Sequence, residues 1–94
     1  MDKFQVAIPV SIFRDGGTFV AYSPALDIST CAGSLSEVKE RFKELVNIFF
    51  EEPYRKGTTD ELLESLGWKK ENHIWSPPEE IEHSTETFTV PLVA

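Results

Sequence analysis

A glycine turn between two alternating apolar runs is the feature that most narrows what this chain can fold into. Asp15-Gly16-Gly17 separates residues 4–13 from Thr18-Phe19-Val20-Ala21-Tyr22. In the first run Phe4, Val6, Ile8, Val10 and Ile12 alternate with Gln5, Ala7, Pro9 and Ser11. That period of two gives a strand one buried face and one wet face. Glycines supply the positive φ angles of a tight hairpin, so the two runs close antiparallel. Pro9 has no N–H for a ladder, which leaves the strand unpaired there or bulged. A third run, residues 27–32, follows the stop at Ser23-Pro24 and leads through Gly33 to a helix start. The expected order is therefore β-β-β-α.

Ser34 and Glu37 fit a capping box, in which each side chain satisfies the other residue's backbone N–H. The helix is expected to run to Glu52, because Pro53 disfavours its continuation. Leu35, Val38, Phe42, Leu45, Val46, Phe49 and Phe50 form its apolar stripe. Glu37 with Arg41, and Glu40 with Lys43, are spaced for weak ion pairs on the other side. Ile48 falls outside the stripe, and with Phe50 it widens the apolar surface at the helix C-terminus. A second capping box, Thr58-x-x-Glu61, opens a short helix carrying Leu62, Leu63 and Leu66, which Gly67 stops. Residues 68–75 read as a small hairpin around Glu71-Asn72, its two tryptophans clamping it to the core. Thr85, Thr87 and Thr89 alternate with Phe88, Val90 and Leu92, which predicts a closing C-terminal strand, placed at an edge by Pro91. The fold class is thus α+β, one domain over residues 1–94. Residues 1–52 form its β-β-β-α core, and residues 53–94 add a helix, a hairpin and an acidic strand.

Charge separates partner classes. The net charge is -7, whereas a surface that tracks phosphates needs clustered Lys and Arg. No Lys or Arg follows Lys70, while Glu71, Glu79, Glu80, Glu82 and Glu86 do. An acidic surface of this kind suits a basic protein partner, or simply keeps a small domain soluble and its edge strand charged. No stretch is apolar enough to span a membrane, the N-terminus does not read as a signal peptide, and Cys31 is the single cysteine. These features predict a cytoplasmic protein.

No set of residues spells out a reaction. His73 and His83 lack the spacing of zinc ligands, so no metal or other cofactor is expected. Cys31, in a short strand, reads as a buried inert thiol and not as a nucleophile. The first strand carries no acid between Lys3 and Phe13, Asp15 belongs to a turn and Asp27 to a bend, so a small metal-dependent nucleic-acid hydrolase is only a lesser alternative. Gly16-Gly17 lacks the following Lys-Ser/Thr of a phosphate loop. The aromatic residues are not interleaved with basic ones as nucleic-acid binding requires.

Several of these segments, taken in order, resemble the HicB-like antitoxin family. They are the alternating first strand, Gly17-Thr18-Phe19-Val20-Ala21-Tyr22, Pro24-Ala25-Leu26, Thr30-x-x-Gly33 and Ser34-Leu35-Ser36-Glu37-Val38. Glu61-Leu62-Leu63-x-x-Leu66-Gly67-Trp68 is similar to the tail of small stand-alone members. The resemblance implies a degraded ribonuclease-H-like fold without the nuclease carboxylates. It also implies that the chain masks a small basic mRNA-cleaving toxin of the HicA type. The sequence departs from the family in having no second domain of basic helices, so no direct DNA binding is expected. The family's Pro-Gly-Cys bend is replaced by Ala25-Leu26-Asp27-Ile28. Ile48, Phe50, Tyr54 and Trp75 are the candidate anchors of the partner interface, or of a homo-oligomer if the chain is an orphan scaffold.

Overall fold

The structure, a computed structural model, describes residues 6–92. Three strands, β1 (Ser11–Asp15), β2 (Thr18–Ser23) and β3 (Ile28–Ala32), form an antiparallel sheet in sequence order. Two helices follow, α1 (Leu35–Lys56) and α2 (Thr59–Ser65), then a hairpin of β4 (Lys69–Glu71) and β5 (Ile74–Ser76). The architecture is α+β.

The β1–β2 turn is as short as two residues allow. Asp15 pairs with Thr18, and Gly16 takes φ 61° between them. The sequence pattern predicts a strand over residues 4–13, and the ladder differs from it. Phe4 and Gln5 lie outside the described residues. Residues 6–10 have no strand partner, and the ladder begins after Pro9, which has no N–H to contribute, and runs on to Asp15. β2 and β3 meet through Pro24-Ala25-Leu26-Asp27, with Ser23 opposite Ile28 and Asp27 at φ 54°.

Helix α1 starts where the sequence places it. Ser34 is extended (φ -143°, ψ 160°), and its Oγ accepts from the Glu37 amide at 3.2 Å. The Glu37 side chain does not return to the cap. It pairs with Arg41 at 2.7 Å, and a second Arg41 nitrogen donates to the Cys31 carbonyl at 2.9 Å, tying α1 to β3. The end of the helix corrects the expectation of a stop at Glu52. α1 passes through Pro53 and ends at Gly57, whose φ is 71°. Proline costs the Phe49 carbonyl its helical partner, but the stop itself is set four residues later. There the Gly57 amide donates to the Tyr54 carbonyl at 3.2 Å and the Thr58 amide to the Pro53 carbonyl at 2.8 Å. This is a Schellman closure, which needs a left-handed residue and finds a glycine.

Thr58 does not form the second capping box. Its hydroxyl donates to the Pro53 carbonyl at 3.5 Å instead of capping α2. The β4–β5 turn lies one residue beyond its expected place, at Asn72-His73. Both residues take positive φ (50° and 64°), as a twisted two-residue hairpin turn demands.

Two apolar clusters form the core. In the first, Ala21, Ala32, Val38 and Phe42 are buried between the sheet and the N-terminal half of α1. In the second, Ala25, Leu26, Leu63 and Trp68 join the β2–β3 turn to α2 and the hairpin. Ile28 and Val46 pack against both. Trp68 Nε1 donates to the Ala25 carbonyl at 2.8 Å in this second cluster. Leu35, expected in the apolar stripe, is exposed at the first turn of α1.

The expected closing strand is absent. Residues 77–92 form neither helix nor strand. Pro77 and Pro78 follow β5 directly and have no N–H with which to extend a ladder.

Candidate functional site

The outward side of α1 carries the most distinctive surface. Ile48 is 64% exposed and Tyr54 59%. On a helix Glu44, Glu51 and Glu52 lie one turn from Ile48, and Glu51 lies one turn from Tyr54. An apolar knob and a phenol thus lie beside carboxylates, with Arg55 one turn from Glu51 and Glu52. Glu52 bonds Lys56 at 3.0 Å. Glu44 and Glu51 carry no ion pair among the described residues. The sequence places these residues there by one mechanism: the stripe that packs on the sheet and on α2 uses the opposite face, so whatever apolar residue falls outside it is left in water.

The four expected anchors do not form one surface. Ile48 and Tyr54 are free for contact, whereas Phe50 and Trp75 are half-buried against the second core cluster. Phe50 meets Phe49 edge to face, their ring centroids 5.1 Å apart. Trp75 carries Lys70 Nζ over its ring at 5.7 Å, and Lys70 also reaches Asp60 of α2 at 3.4 Å. These two aromatic side chains hold the C-terminal elements on the body. Their apolar area is committed to the fold first.

The sheet offers a second surface. Its helix-facing side takes Phe19, Ala21 and Ser23. By the alternation of a strand, Phe13, Val20, Tyr22 and Cys31 point the other way. Phe13 and Cys31 are exposed there. This corrects the reading of Cys31 as a buried thiol: β3 is covered by α1 on one face only, and Cys31 falls on the other.

The titratable groups do not converge. Asp15 sits at the β1–β2 turn and Asp27 at the β2–β3 turn, at opposite ends of β2. Six residues of strand separate them, about 20 Å. Two carboxylates that far apart share neither a metal nor a proton. Asp27 accepts from the Tyr22 hydroxyl at 3.4 Å. His83 lies 3.2 Å from Glu80 on an exposed segment, and His73 occupies the β4–β5 turn. Among the described residues no group of three or more His, Cys, Asp or Glu is placed to hold a metal ion. No described helix is long and apolar enough to cross a membrane.

The chain matches no family model, no curated protein and no solved structure.

Proposed function

We propose that this chain is a non-catalytic protein-binding module of the HicB-like antitoxin type, which masks a small basic mRNA-cleaving toxin of the HicA type. In this reading the β-β-β-α unit is a degraded ribonuclease-H-like frame kept for binding, and the protein works in the cytoplasm without touching DNA. The observation that carries it is the exposed pair Ile48 and Tyr54, set among Glu44, Glu51 and Glu52 on α1. Exposed apolar anchors beside Glu44 and Glu51, carboxylates without an ion pair among the described residues, are what an RNA-binding basic surface would meet with complementary potential. The sequence resemblance supplies the partner's class.

The test is co-expression with a small basic reading frame adjacent to this gene. The expected result is co-purification and restored growth. Ile48→Asp and Tyr54→Ala, both at exposed positions, are expected to leave the fold intact and to weaken the complex at least about tenfold each. A toxin still neutralised by the double variant would overturn the assignment of the site. A toxin neither bound nor neutralised by the unchanged chain would overturn the antitoxin reading.

A second reading, an orphan homo-oligomeric scaffold, is favoured by the apolar residues exposed beyond β5. A metal-dependent hydrolase has the least support, given the separation of Asp15 from Asp27.

A further inference from the structure

The C-terminal stretch is patterned as a strand, exposed and unpaired. Ile81 is 91% exposed, Phe88 77%, Val90 69% and Leu92 91%. Thr85, Thr87 and Thr89 alternate with Phe88 and Val90, which is strand periodicity in residue types that favour strands. Segments that stay solvated are poor in aromatic and β-branched residues, and this one is rich in them.

The body carries an edge that matches it. α1 lies mainly over β3 and β2, and β1 contributes only Ile12 to the first core cluster. β1 is an outer strand, with Val10 before it and Phe13 within it exposed. At the opposite edge Arg41 of α1 already occupies the Cys31 carbonyl. An uncovered edge strand is a template for pairing. Prolines delimit both partners: Pro9 precedes β1 and Pro91 follows Val90.

The dimensions of the chain allow the segment to reach a second copy. The chain leaves the body after Ser76 and Pro77-Pro78, and the molecule measures 55 Å along its long axis against 30 and 25 Å across. Its radius of gyration is 16.6 Å, against about 12 Å for a compact chain of this length. Residues 77–92 extended reach about 50 Å, far enough to cross onto a neighbouring body. We propose that residues 85–90 of one copy add a fourth strand to the β1 edge of a second copy, by reciprocal exchange in a two-fold dimer. Each copy then gives a strand and receives one, so both β1 edges are closed and Phe88 and Val90 gain neighbours on β1. This inference does not depend on the toxin reading.

The test combines mass by light scattering with amide hydrogen exchange on the full chain, from micromolar to hundred-micromolar concentration. The expected result is a dimer in which amides 85–90 gain protection as the dimer forms. Phe88→Asp with Val90→Asp is expected to give a monomer with its helical far-ultraviolet signal intact and an unprotected tail. Paired proline substitutions, Glu86→Pro with Thr87→Pro, remove one N–H on each edge of the added strand while keeping its apolar side chains. Loss of the dimer there distinguishes a hydrogen-bonded strand from apolar adhesion. A monomer at every concentration would overturn the proposal, and a monomer with a protected tail would assign the strand to the chain's own sheet. A dimer that survives both double variants would place the interface elsewhere.

Discussion

Trp68 serves two elements at once. Its ring is 3% exposed among Ala25, Leu26 and Leu63, and its indole Nε1 donates to the Ala25 carbonyl. The hydrogen bond joins positions far apart in sequence and lies in a buried site, where an unpartnered carbonyl is costly. Trp68→Phe keeps most of the ring and removes the donor. It is expected to destabilise the fold by about 1–3 kcal/mol, read as a lower urea midpoint with an unchanged slope. An unchanged midpoint would mean that the carbonyl finds another donor. The sequence marks Trp68 as a clamp, but not the atom it clamps. Hydrophobicity is a property of the residue, whereas the Ala25 carbonyl becomes an acceptor only when the β2–β3 turn faces α2.

At the scale of elements, local chemistry is the best guide. The Ser34 cap, the glycine turn after Asp15 and the existence of the small hairpin, though not the residues of its turn, were legible, because each is decided by interactions within a few residues. The end of α1 was not, although its signals are also local. Pro53 predicts a stop, while Gly57 places it. A proline near a helix end costs one hydrogen bond, and the Schellman closure at Gly57 and Thr58 satisfies the terminal carbonyls. Gly57→Ala puts a Cβ on a residue at φ 71°, where no neighbouring atom lies within 4 Å of it. The expected cost is therefore backbone strain alone, about 1–2 kcal/mol. Thermal melting checks it: an alanine variant as stable as the parent would show that the closure rearranges.

At the scale of the whole molecule, stability depends on the join between two clusters. Ile28 and Val46 touch both. Val46→Ala is expected to cost about 1.5–2 kcal/mol and to preserve one cooperative transition, followed by circular dichroism and tryptophan fluorescence together. Because Trp68 and Trp75 report on the second cluster only, separated transitions would show that the clusters unfold independently. The same scale decides the candidate site. The sequence by itself determined the α+β order, the β1–β2 turn, the Ser34 cap of α1 and the outward position of Ile48, since periodicity and backbone chemistry act over short spans. Only the tertiary structure decided that Phe50 and Trp75 are committed to the core, that Cys31 faces out, that Asp15 and Asp27 stand at opposite ends of β2, and that residues 85–92 are unpaired. Those outcomes depend on which surfaces meet. A residue's hydrophobicity states that it seeks cover, and a strand's alternation that it seeks an edge, but the neighbour that supplies either is a property of the assembled fold.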